Sequence, residues 1–139
     1  MADIKEFFTE NDQFAKHCGI KLVEVSDGHA RAGMDIRPHH LNGVSTIHGG
    51  ALFTLADFAF AAACNSHGTV AVAINCSIAY VMAVSAGTLY ADARETSLGG
   101  RIATYTIDIM NEKGELVAIF QGMAYRKKET IDDLIKSQA

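Results

Sequence analysis

The sequence holds no apolar run of membrane-spanning length, no sizeable basic cluster and no cysteine pattern, and each absence removes a class of function. Its longest apolar stretch runs from Ala51 to Cys64, 14 residues, against the roughly 20 that a transmembrane helix needs. No basic run exceeds Arg126-Lys127-Lys128, and 12 basic against 16 acidic residues leave a formal net charge of −4. Neither duplex nucleic acid nor a membrane is therefore an expected partner. The three cysteines, Cys18, Cys64 and Cys76, are odd in number and far apart, and no C-x-x-C spacing exists. That argues against a disulfide framework and against a metal site, and it suits a reduced, cytoplasmic compartment. The first residues, Met-Ala-Asp-Ile-Lys-Glu, lack the basic and apolar regions of a secretion signal. Proline occurs once, at Pro38, and there is no repeat, linker or low-complexity segment.

What is present is an ordinary globular composition, 49% apolar and 20% charged over 139 residues. That length fits one domain over residues 1–139. A chain of this size buries roughly 68–70% of the surface its unfolded form exposes, enough for a true core. Ile4, Phe7, Phe8 and Phe14 fall at helical spacing among charges, which predicts one amphipathic helix within residues 3–17. Ile20 to Val25 and Ala30 to Ile36 read as two strands joined by a turn at Asp27-Gly28. Arg37 to Ile47 reads as loop. A helix then starts at Gly49-Gly50 and ends near Asn65–Gly68, where Asn-Ser-His-Gly suits a C-cap. The remainder reads as β: Val70–Val81, Gly87–Thr96, Arg101–Met110 and Leu116–Tyr125, in hairpin sequence, followed by a short helix over Thr130–Lys136. In the third of these strands Ala103, Tyr105, Ile107 and Ile109 share a face. The expected architecture is α+β, with an antiparallel sheet curled around one apolar helix. An open sheet leaves edges that a second copy can cover, so a dimer or a dimer of dimers is expected.

The chemistry is concentrated around the apolar helix. Asn42-Gly43 is followed four residues later by His48-Gly49-Gly50, and Asp57 then stands inside the apolar run. A helix apolar on every side is a core helix, and aspartate is seldom fully buried without a partner. The glycine pair leaves backbone N–H groups free to face an anion. A donor set and a carboxylate base on one segment point to acyl chemistry at a polarised carbonyl. His17, His29, His39, His40 and His67 show no ligand spacing and read as surface or capping residues.

The pattern Asn42-Gly43-x4-His48-Gly49-Gly50-x6-Asp57 at the head of a long apolar helix resembles the hotdog-fold acyl-coenzyme A thioesterases. The stretch from Leu52 to Gly68 is similar to their phenylacetyl-CoA (PaaI-type) branch, and the resemblance covers about residues 15 to 127. It implies the hotdog fold and hydrolysis of an aryl- or medium-chain acyl-CoA, as in phenylacetate catabolism. It also implies an active site at the interface of a homodimer that assembles into a homotetramer. Asp57 of one protomer would face Asn42, His48 and Gly49 of the other. Two departures stand out. Ala73 occupies a position where some relatives carry serine, and Met82-Ala83-Val84 stands where many have Arg-Pro.

A thioester needs a polarised carbonyl and a delivered water more than it needs an acid at the leaving thiol. The Gly49 N–H at the helix start is the candidate donor, worth about 2.7–4 kcal/mol to the developing oxyanion. Asp57 is the candidate base on water, or else a nucleophile that forms an anhydride, and the sequence leaves both open. Asn42 is the candidate water holder, and His48 orients the loop or the carbonyl. Gly50, Phe53 and Thr54 are expected to touch substrate, and Arg101 and Arg126 to meet its phosphates. No cofactor is expected, since coenzyme A is part of the substrate. Two other readings are a hydratase or dehydratase on the same fold, against which Ile47-His48-Gly49-Gly50-Ala51 lacks prolines and a bulky loop, and a non-catalytic acyl-CoA binding module.

Overall fold

The computed structural model describes residues 2–138. The elements are α1 (Ile4–Asn11), α2 (Gln13–His17), β1 (Ile20–Ser26), β2 (His29–Asp35), a 3-10 turn at Pro38–His40, α3 (Gly49–Asn65), β3 (Thr69–Tyr80), β4 (Thr88–Leu98), β5 (Ile102–Asn111), β6 (Leu116–Thr130) and α4 (Ile131–Gln138). The strands form one six-stranded sheet in the order β1-β2-β4-β5-β6-β3. Every neighbouring pair is antiparallel. No described helix is long and apolar enough to cross a membrane.

α3 packs against all six strands, so the sheet curls around it. Small residues let helix and sheet approach closely: Ala56, Ala59 and Ala63 of α3 are buried, as are Ala30 and Ala32 of β2 and Ala91 and Ala93 of β4, two of the strands that α3 packs against. Larger side chains fill the rest, among them Phe60, Tyr105, Ile107, Ile109 and Phe120. A Cβ at Gly122 would sit 2.7 Å from the Phe60 ring, so the glycine gives that ring its space. The expected inward face of β5 is observed, with Ala103, Tyr105, Ile107 and Ile109 all buried.

Three expectations need correction. The single helix over residues 3–17 is two helices. Asp12 adopts extended backbone, its N–H ends α1 on the Phe8 carbonyl, and its carboxylate accepts the Ala15 N–H to start α2. The loop from Arg37 to Ile47 contains the 3-10 turn and is closed by a Leu41–Ile47 bridge. The last four strands are not successive hairpins. β3 pairs with β6, and β4 pairs with β2 as well as β5. Residues 81–87 cross the end of the sheet instead of turning tightly, held where the Ile47 N–H donates to the Val84 carbonyl and the Ile36 N–H to that of Gly87. The crossing leaves β3 on an edge with neighbours on one side only.

Candidate active site

The start of α3 is built from backbone. His48 is its N-cap, and the His48 Nδ1 accepts the Gly50 N–H at 2.8 Å. The His48 carbonyl accepts from Ala51 and Leu52, and its own N–H donates to the His40 carbonyl. Among the described residues the Gly49 N–H has no hydrogen-bond partner. It is a free donor at the positive end of a 17-residue helix. From above, the Tyr80 hydroxyl donates to the Gly49 carbonyl at 3.1 Å, and a Cβ on Gly49 would lie 2.8 Å from that hydroxyl. Glycine is thus required for Tyr80 to close on the helix start. Thr54 spends its hydroxyl proton on the Gly50 carbonyl, one turn back.

Asn42 secures the preceding loop. Its side-chain oxygen accepts the N–H groups of Val44 and Thr46, and its amide nitrogen donates to the Thr46 hydroxyl at 2.9 Å. The loop passes through Ser45 at φ 63°, a left-handed conformation. The Asn42 side chain therefore works first as an Asx-type brace and keeps one amide hydrogen to spare. Behind it lies His40, a capping residue of the 3-10 turn as expected, but buried rather than on the surface. It donates from Nε2 to the Cys18 carbonyl at 2.7 Å and accepts the Arg37 N–H at Nδ1. That pairing fixes the neutral Nε2–H tautomer, because a carbonyl only accepts. Next to this loop a cavity of about 470 Å³ is lined by Phe14, His17, Leu41, His48, Ala51 and Thr54.

Asp57 sits elsewhere. It is half-buried, in the wall of a separate cavity of about 300 Å³ whose other walls include Phe7, Phe8, Phe60, Val70, Ala73 and Leu134. Burial pushes its pKa up, with Asp12 as a lesser cause, and neither a hydrogen bond nor a cation opposes the shift. A carboxylate in this state is a stronger proton acceptor than an ordinary one. The thiols nearby are not competitors: burial, followed by the charge of Asp57, pushes Cys64 up to about 12 and raises Cys76 as well. Phe53 is half-buried and packs edge-on against Phe120, a core contact, at 5.1 Å between ring centres.

Within one chain, these groups are not all brought together. Gly49 and Asp57 are eight residues apart on the same helix, about 12 Å along its axis. Both cannot meet one carbonyl carbon. Arg126 pairs with Ala71, nine residues along β3 from Tyr80, roughly 30 Å away. There the Arg126 Nη1 donates to the Gly99 carbonyl, its Nε is buried without a partner, and Arg101 donates to the Arg126 carbonyl. Among the described residues no cluster of three or more His, Cys, Asp or Glu is placed to hold a metal ion. Sequence reasoning missed Tyr80, which arrives from β3 by a pairing with no local signal. It also missed the wall that α1 and α4 build around Asp57, although the adjacent Phe7-Phe8 pair was a visible hint.

With this geometry in place, comparison with known proteins gives three findings. The model of the Thioesterase superfamily matches residues 45–118. The chain is 42% identical over 123 residues to the acyl-coenzyme A thioesterase PaaI of Escherichia coli, covering 88% of each protein. The solved structure of that E. coli protein, from the phenylacetic acid degradation operon, superposes with a TM-score of 0.87 at 39% identity, over 90% of this chain and 91% of that one. A mutant of the phenylacetic acid degradation protein PaaI from Thermus thermophilus superposes with a TM-score of 0.79 at 39% identity, over 82% of this chain and 98% of that one.

Proposed function

The chain belongs to the thioesterase superfamily and has the hotdog fold, and on that premise we propose that it hydrolyses an aryl- or medium-chain acyl-CoA, of the phenylacetyl-CoA kind, to the free acid and coenzyme A. One observation carries the reading. A free N–H at Gly49 and an unpartnered carboxylate at Asp57 lie on one helix, too far apart to act on one carbonyl. A second copy resolves this. β3 is an edge strand of 12 residues with Ile74 and Tyr80 exposed. An edge this long and apolar favours pairing with another strand. Antiparallel two-fold pairing about its middle sets the Tyr80 end of one strand against the Thr69–Val72 end of the other. Tyr80 holds Gly49, and Ala73 lines the Asp57 cavity. The pairing thus carries the partner subunit's Gly49 toward Asp57.

In the completed site the thioester oxygen accepts from the Gly49 N–H at the helix N-terminus, which stabilises the oxyanion as it forms. Asp57 takes a proton from the attacking water; the direct attack that would give an anhydride uses the same carboxylate. His48 holds the helix start in shape by consuming the Gly50 N–H, so that Gly49 alone is left to donate. Asn42 holds the loop and offers its spare amide hydrogen to water. Ile102, Met123 and Tyr125 form an exposed apolar patch on neighbouring strands β5 and β6, which suits the dimer-of-dimers contact of a homotetramer. The three free cysteines suit a reducing, cytoplasmic compartment.

The test is subunit complementation. Asp57→Asn and Gly49→Pro should each retain about one per cent or less of the wild-type kcat in thiol release from phenylacetyl-CoA. Unfolded and refolded together, they form hybrids in which one of the two sites is intact, and roughly a quarter of wild-type activity returns by statistical pairing. Mixtures that stay at the level of the single variants while forming dimers would reject the shared site.

A further inference from the structure

We propose that the cavity beside Asp57 receives the acyl group of the substrate, and that its size limit is set by the terminal helices, through Phe7 and Phe8 of α1 and Leu134 of α4. The proposal rests on the thioesterase reading above and adds to it the residues that select the acyl chain.

The cavity has two properties that fit an acyl group and exclude the rest of the substrate. Its walls are apolar apart from one open polar group. Asn65, also in the wall, is fully engaged: its amide nitrogen donates to the carbonyls of Ala61 and Ala71, and its oxygen accepts the Ala71 N–H at 2.9 Å. Only the Asp57 carboxylate is left, with no hydrogen bond or cation opposing its raised pKa. A phosphate or a polar amide chain placed here would lose its water for no new partner and would be repelled by Asp57. A hydrocarbon or aryl group would bury apolar surface, with its carbonyl at the carboxylate where the water must be activated.

The second property is where the walls come from. α3 and β3 supply Phe60, Val70 and Ala73, and the terminal helices α1 and α4 supply a further wall. Phe7 and Phe8 stand edge to face with ring centres 5.3 Å apart. α4 is anchored by buried Ile131, whose N–H donates to the Gly68 carbonyl at 2.8 Å, and by reciprocal bonds between Thr130 and Asp133. That anchor fixes Leu134, half-buried, against the cavity. α1 buries no residue fully and bears on the cavity through two rings. Substitutions here alter the depth of the cavity without touching Gly49, His48 or Asp57. The larger cavity beside His48, lined with His17 and His39 as well as Phe14, is the rival place for the acyl group.

The experiment measures kcat and KM of the full-length enzyme with acetyl-, phenylacetyl- and decanoyl-CoA. Leu134→Trp fills the cavity, Phe7→Ala and Phe8→Ala deepen it, and Phe14→Trp narrows the rival. The expected result is that Leu134→Trp lowers the ratio of kcat/KM for phenylacetyl- over acetyl-CoA by about tenfold or more. Phe7→Ala and Phe8→Ala should raise the decanoyl-to-acetyl ratio by a similar factor, and Leu134→Met should stay near wild type. An active wild type whose ratios move only with Phe14→Trp, or whose variants slow all three substrates equally, overturns this inference and leaves the thioesterase reading standing. A wild type that cleaves none of the three overturns both. Phe7→Ala and Phe8→Ala remove half-buried rings, so they keep the test open if Leu134→Trp fails to fold.

Discussion

The two functional stretches of α3 are made of opposite materials. Its first turn is a backbone device in which nearly every polar group is spoken for: His48 takes the Gly50 N–H, Tyr80 takes the Gly49 carbonyl, and one N–H is left over. Two turns further on, Asp57 is a side-chain device in an apolar wall, with no hydrogen bond set against its burial. The first stretch is ordered and ready to accept charge. The second is held in an unfavourable state that makes it a better base. About 12 Å of helix axis separates them, so within one chain the two devices do not meet at one carbonyl, which is the separation that the proposed shared site would bridge.

The sharpest way to break the comparison is Asp57→Asn. It should lower kcat by about 10²–10⁴ in thiol-release kinetics, with little change in KM. Stability should move the other way. The folded-state pKa of Asp57 is raised, so ionisation costs stability, and that cost appears as pH rises from the ordinary aspartate range through the raised value. The variant should therefore melt higher than wild type at pH 7 and no higher at pH 3, by calorimetry. The same shift places the acid limb of the wild-type kcat/KM profile above the ordinary aspartate range, and a limb within that range would remove Asp57 as the base.

A substitution at the other end tests the backbone device. Gly49→Pro deletes the free N–H at the first helical position, where proline is well tolerated. It should cost about 10²–10³ in kcat, while circular dichroism shows an unchanged fold and the Tyr80 ring moves aside. Gly49→Ala retains the N–H and adds the same crowding against Tyr80, so it should be clearly more active than Gly49→Pro. Equal losses would assign the effect to crowding.

The smallest expected effect sharpens the division between loop and helix. Asn42→Ala removes three hydrogen bonds that brace the loop. On an exposed loop whose N–H groups can turn to water, about 1 kcal/mol of stability is expected to go, read as a lower midpoint in urea. KM should rise more than kcat falls if the residue only braces. A fall in kcat beyond tenfold would place Asn42 on the attacking water.

How far the sequence could be read follows the range of the interaction involved. The run from Ala51 to Cys64 and the alternation of β5 are patterns of one segment against an apolar interior, and both appear as expected. Asp12 was harder, because an extended cap inside a helical pattern is decided by one side chain choosing the Ala15 N–H. His40 looked like any polar loop residue, and only the distant Cys18 carbonyl gives it a buried partner. Phe53, Phe58 and Phe60 read mostly as core with one of them open to a pocket role, and for Phe53 the Phe120 ring beside it agrees with the core reading.

Local patterning was enough to specify the apolar helix, the glycines at its start, the carboxylate within it and the strands that cover it, because periodicity and backbone freedom are properties of short segments. The spacing of Asn42, His48-Gly49-Gly50 and Asp57 was likewise enough to point to the family. Three features needed the folded chain: β3 lies on an edge, Tyr80 closes over Gly49, and α1 and α4 wall in Asp57. Each depends on which distant segment wins a shared surface, and that competition among strand pairings and helix dockings is not decided by any one segment, so even a local hint such as Phe7-Phe8 does not say which surface it will cover.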